Sequence, residues 1–171
     1  MYAKRGDLYG GNKLRTFALF NQSVQNDFMS FYLMHVKNVN KRRLMSKFRL
    51  GVCPLRIETG RYEINEKKSK GISVENRTCQ VCGSQDKVED EFHFLMMCPA
   101  YNELRNNLFD ALNIDSTLFQ SESQLKSLFI ELMADYAFYS PLRMLNDERH
   151  VKVADFIWNA FTLRANCLNE K

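Results

Sequence analysis

Four residues within twenty positions constrain this chain more than anything else in it. Cys79-Gln80-Val81-Cys82 is followed by His93 and Cys98, a spacing of Cys-x2-Cys-x10-His-x4-Cys. A Cys-x2-Cys pair brings two sulfurs to one side of a tight turn, and Gly83 lets the backbone leave that turn with positive φ. His93 and Cys98 lie five residues apart, so a helical turn ending at Pro99 can aim both at one point. Three thiolates and one imidazole form a closed tetrahedral set for Zn²⁺, with metal–sulfur bonds near ~2.3 Å. Because all four positions are filled by protein, the expected Zn²⁺ is structural rather than catalytic. A loop with little core of its own should then fold only around its ion, with Val88, Phe92, Phe94 and Leu95 docking it on the rest of the chain. The total of five cysteines is odd, and with Cys53 and Cys167 outside the cluster it suits a reducing compartment better than a disulfide framework.

The remainder reads as mostly α. Only 7 Gly and 3 Pro among 171 residues leave too few turn residues for a sandwich or barrel. A hydrophobic fraction of 45% supplies a core. Apolar spacing predicts a helix over Lys13 to Val36, and a second over Lys41 to Arg49 with Asn40 as N-cap and Gly51 as left-handed stop. In the second, Leu44 and Phe48 face inward while Arg42, Arg43, Lys47 and Arg49 spread over the solvent side. Pro99 opens a helix from Ala100 to Leu112 striped by Tyr101, Leu104, Leu108, Ala111 and Leu112. Ser121 and Gln124 form a capping box ahead of Leu125, Leu128, Phe129, Leu132 and Met133. Asn146 caps a last helix carrying Val151, Ala154, Ile157, Trp158, Phe161, Ala165 and Leu168. The expected architecture is a helical domain with an inserted small Cys3His zinc-knuckle-like module. It comprises a basic helical region with a flexible loop (1–76), the zinc module (77–105) and a C-terminal helical region (106–171), packed as one unit.

Charge divides along the chain. Residues 1–77 carry 16 Lys and Arg against 6 Asp and Glu, whereas residues 78–171 carry 8 against 14. Between Lys37 and Arg77 there are 12 bases and four acids, and such an excess attracts polyanions through counterion release. Lys41, Arg42, Arg43, Lys47 and Arg49 would meet phosphates from a helix, and Arg56, Arg61, Lys67, Lys68 and Lys70 from the following loop. Tyr62 would stack on an unpaired base, which suits RNA or single-stranded nucleic acid better than duplex DNA.

The motifs also occur in a telling order: Lys47-Phe48-Arg49-Leu50-Gly51, Leu55-Arg56-Ile57-Glu58-Thr59-Gly60-Arg61-Tyr62, Cys-x2-Cys, Glu89-x3-His93-x4-Cys98-Pro99-x-Tyr101, then Arg105. The series resembles the zinc-binding region that follows the reverse transcriptase in non-LTR (LINE-like) retrotransposon polyproteins, over about residues 41–105. That resemblance implies nucleic-acid handling, with Cys79, Cys82, His93 and Cys98 as metal ligands and Arg49, Arg56 and Arg61 as basic contacts. The polymerase itself is absent: Ala134-Asp135-Tyr136 lacks the second Asp of a two-metal site.

The competing expectation is a zinc-stabilised protein–protein interaction module without a nucleic-acid role, binding a protein through the acidic C-terminal half with its share of the 13 Phe. An enzyme is not expected, and no catalytic residue is assigned. His35 and His150 stand alone as surface or core-edge residues, Cys53 beside Arg56 reads as an inert buried thiol, and Ser140-Pro141 is no nucleophile elbow. Without a signal sequence or a membrane-length apolar run, the expected setting is intracellular, nucleus or cytoplasm, not secreted, with no membrane partner.

Overall fold

The computed structural model describes residues 16, 20, 30–63, 71–135 and 146–169. These form α1 (Phe31–His35), α2 (Val39–Leu50), the single turn α3 (Arg56–Thr59), α4 (Asn102–Ala111), α5 (Glu122–Met133) and α6 (Asn146–Asn169). Short 3-10 turns at Val74–Asn76, Pro99–Tyr101 and Ser116–Leu118 and a π turn at His93–Met97 join them. No strand forms among the described residues. The sole pairing of that kind among them is an isolated antiparallel bridge between Thr78 and Val88.

The first expected helix is not continuous. Ser30 sits in an extended conformation (φ −52°, ψ 132°), so α1 begins afresh at Phe31. Most of the earlier part of that helix lies outside the described residues. In α2 the cap is Asn38 rather than Asn40: its side-chain oxygen accepts the Asn40 and Lys41 amides at 3.0 and 3.1 Å. An Asx side chain reaches the N–H groups two and three residues on, which sets the start of the helix two residues earlier than expected. Gly51 ends α2 in the left-handed region (φ 69°), as its position predicts. Ser121 and Gln124 make the capping box of α5.

α6 is the spine of the fold, packing on α1, α2, α4 and α5. It buries Val153, Ala154, Phe156, Ile157, Ala160 and Arg164. The expected stripe is rotated from this face, for Trp158 and Ala165 are exposed. Small Ala154 and Ala160 let neighbouring helices approach, and the buried Arg164 moves the centre of the face to a position that hydropathy assigns to solvent. α4 departs from its expected stripe in the same way, for Phe109 is buried and Ala111 is exposed.

One core of buried side chains joins all three expected regions. Phe94, from the Cys/His loop, lies at its centre, 4.7 Å from the rings of both Tyr101 and Phe161 and 5.7 Å from Phe48. Phe92 meets Phe129 of α5 edge-on at 5.6 Å, Leu95 is fully buried, and Val88 packs at the margin. The loop is therefore docked by aromatic contacts from two sides.

Two buried arginines close the C-terminal end of α5. Arg149 donates to the carbonyls of Glu131 and Ala134, both at 2.8 Å, and Arg49 donates to Met133 and to Asp135 Oδ2 at 3.1 Å. Guanidinium groups satisfy carbonyls that lack helical partners and complement the negative end of the helix dipole. The Arg49 guanidinium also lies 4.8 Å from the Tyr32 ring centre.

Candidate metal centre

The Cys/His loop is built on a short stem. The Cys79 amide donates to the Lys87 carbonyl and the Glu89 amide to the Arg77 carbonyl, both at 3.0 Å, on either side of the Thr78–Val88 bridge. The turn beyond is closed by the Gly83 amide donating to the Cys79 carbonyl at 3.2 Å. Gly83 has φ 70°, where a side chain on Cβ would strain the backbone.

The other two donors come from the π turn. Residues five apart on an α-helix project about 140° from each other, so an ordinary helix would separate His93 from Cys98. Instead the Cys98 amide donates to the His93 carbonyl at 2.7 Å, an i→i+5 bond that brings residue 98 back over residue 93. Asp90 Oδ1 accepts the His93 amide at 2.7 Å and anchors the start of this turn.

As a result the donor atoms of Cys79, Cys82, His93 and Cys98 all lie within 4.8 Å of one another. Cys79 Sγ is 3.9 Å from Cys98 Sγ, and Cys82 Sγ is 3.6 Å from His93 Nε2. A tetrahedral ion with the usual bond lengths has S···S edges of roughly 3.8 Å and S···N edges of roughly 3.6 Å. Residues, order and spacing therefore fit a four-coordinate metal ion. Nε2 faces the sulfurs, while Nδ1 is buried with no hydrogen-bond partner among the described residues.

Thiols so close oppose each other's ionisation. Contact with Cys79, and then burial, pushes the Cys98 thiol up, and burial raises Cys82, while the hydrogen bond with Cys98 draws Cys79 down. A bound cation would relieve this by taking all three as thiolates and releasing their protons.

Charged side chains buried around the loop hold its backbone. Arg105 donates to the Leu95 and Cys98 carbonyls, both at 2.8 Å, and to Asn102 Oδ1 at 2.6 Å. Glu89, with no exposed surface, accepts both arms of Arg164 at 2.8 and 3.0 Å and the Arg56 amide at 2.9 Å. Three thiolates around a divalent cation would carry a net charge of about −1, which the Arg105 guanidinium, bonded to the Cys98 carbonyl, would offset. Glu89 and Arg105 belong to the motif series, but their positioning roles and that of Arg164 are not readable from it. The available signal was a charged residue set in a buried phase, Arg105 between Leu104 and Leu108.

The expected nucleic-acid-binding residues divide into four groups. Arg49 is 3% exposed and internally bonded, which corrects its assignment to the solvent face and removes it as a phosphate contact. Lys41 pairs with Asp155 at 2.8 Å, Arg42 donates to Val36 and Leu33 carbonyls at the end of α1, Arg56 pairs with Glu63, and Arg61 lies 3.1 Å from Glu58. Arg43, Lys47 and Tyr62 are exposed. Lys67, Lys68 and Lys70 lie outside the described residues, as do Ser140-Pro141 and Tyr136.

His150 is fully buried rather than at a surface or core edge, and His35 is half-buried against Phe31. Cys53 is buried, with Sγ 3.9 Å from the Leu44 carbonyl oxygen. No helix among the described residues is long and apolar enough to cross a membrane. Comparison of the chain with protein-family models, with curated proteins and with solved structures finds no match.

Proposed function

We propose that this chain is a zinc-stabilised nucleic-acid-binding module, with RNA or single-stranded nucleic acid as its favoured ligand. Zinc is the ion that a tetrahedral set of three thiolates and one imidazole selects, and with no position left for water its role is structural. One zinc per chain by elemental analysis is the expected content.

The observation that carries the binding reading is the outward stripe of α2. Asn40, Arg43 and Lys47 recur at three- and four-residue steps on its exposed face. Neither Arg43 nor Lys47 has a side-chain partner among the described residues, so both cations are available to phosphates at no cost in broken ion pairs. Tyr62, 67% exposed, offers a ring for base stacking. The reading agrees with the resemblance to the zinc-binding region of retrotransposon polyproteins, and it assigns no catalytic step.

Salt-titrated binding of single-stranded RNA, duplex RNA and duplex DNA tests this proposal. Arg43→Ala with Lys47→Ala should lower the log–log salt slope by about 2 and leave the metal content unchanged. An affinity that is flat from about 50 to 200 mM salt would end the phosphate reading. Exposed Trp158 and Leu163 on α6 favour the second reading, a protein-interaction module, which predicts a complex that survives nuclease treatment.

A further inference from the structure

The stem of the Cys/His loop is also a clamp on the segment from Arg56 to Tyr62. At one end of α3, the Arg56 amide donates to Glu89 Oε2 at 2.9 Å and the Ile57 amide to the Glu89 carbonyl at 3.0 Å. On the other side, Arg77 donates from Nη1 to the Ile57 carbonyl and from Nε to the Ile72 carbonyl, both at 2.8 Å. The Ile72 amide in turn donates to Gly60 at 2.7 Å. A side chain at Gly60 would meet Arg77 Cγ at 2.8 Å, which shows how closely the segment lies on that arginine.

Arg77 and Glu89 are the two residues that close the stem, bonded to each other through the Glu89 amide. Neither partner of this clamp is stable alone. A four-residue helix does not persist in water, and a stem with one bridge is below the size at which paired strands hold themselves. The stem stays closed where its far end is pinned, and the far end carries Cys79 and Cys82. Glu89 then passes the constraint on to α6 through Arg164.

From this geometry we infer that metal occupancy at Cys79, Cys82, His93 and Cys98 controls the order of the Arg56–Tyr62 segment, with Glu89 as the positioning residue between them. The metal site thereby governs whether Tyr62 is presented in a fixed place. This inference rests on the metal reading of the four ligands and adds to it a metal-dependent regulation of the surface proposed to bind nucleic acid.

Amide hydrogen exchange on the full chain tests it, with and without a zinc chelator, using α5 amides as the internal reference. Chelation should speed exchange at Arg56 and Ile57 by about tenfold more than at α5. Zinc-loaded Glu89→Gln should keep one metal per chain yet show the same acceleration at Arg56, whereas Arg164→Lys, which keeps the charge pair, should restore slow exchange relative to Arg164→Met. The Arg164 pair decides the matter should Glu89→Gln fail to fold. Equal acceleration at both sites on chelation, or unchanged Arg56 exchange in Glu89→Gln and Arg164→Met, would overturn the inference while leaving the metal in place. A wild-type chain that takes up no metal would instead overturn the reading beneath it.

Discussion

Arg105 shows how a single side chain can hold the backbone of a candidate metal site without being one of its donors. Its guanidinium satisfies the carbonyls of Leu95 and Cys98, which flank the end of the π turn. Arg105→Met keeps the volume but leaves both buried carbonyls unpaired and removes the cation beside the thiolates. Metal affinity should fall by about 10- to 100-fold, read by competition with a chromophoric chelator. His150 has a different consequence. Burial first, and then the charges of Arg149, Arg49 and His35, lower its pKa from the usual 6.5 to about 2. The folded chain therefore holds it neutral at pH values where the unfolded chain protonates it. Stability is unaffected above the unfolded value and declines as pH falls from about 6.5 toward 2, by up to about 1.4 kcal/mol per pH unit. Urea titrations of the chelated protein at pH 7, 6 and 5 should show this decline, and His150→Gln should reduce it.

At the scale of elements, local signals succeeded where the bond they describe is local. Gly51 stops α2 because a left-handed residue is required there, and the Ser121–Gln124 box closes within four residues. Gly51→Ala and Ser121→Ala should each cost about 1 kcal/mol in urea unfolding without altering metal content. Element boundaries were less legible. Asn38 and Asn40 are equivalent as sequence signals, and which one caps α2 depends on where the chain leaves α1. The π turn was not legible either. Nothing in His93-Phe94-Leu95-Met96-Met97-Cys98 marks an i→i+5 bond, which is set by Phe94 and Leu95 entering the core while Arg105 holds the carbonyls behind them. The phase of α6 is not legible for a related reason, since a buried arginine carries no hydropathy signal.

Across the whole molecule, the metal loop is interleaved with the helical core rather than appended to it. Phe94 packs on α2 and α6, Phe92 on α5, and Glu89 bonds to α3 and α6. Removal of the ion should therefore loosen the loop and the segments bonded to it first, and lower the stability of the whole chain. Chelation should lower the thermal midpoint and abolish the protection of residues 77–98, measured by calorimetry and hydrogen exchange.

The amino-acid sequence alone determined the four Cys and His residues that converge, the helical character of the chain and the caps whose partners lie within a turn. Each of these depends on spacing along the backbone, and spacing is written in the sequence. Which cations face water was decided by the tertiary structure alone. Arg49 is withdrawn by Asp135, 86 residues away, and Arg164 by Glu89, 75 residues away, while Arg43 and Lys47 on the same helix as Arg49 remain outside. A guanidinium is buried only where a distant carboxylate or helix end meets it, and that meeting exists only once the chain has folded.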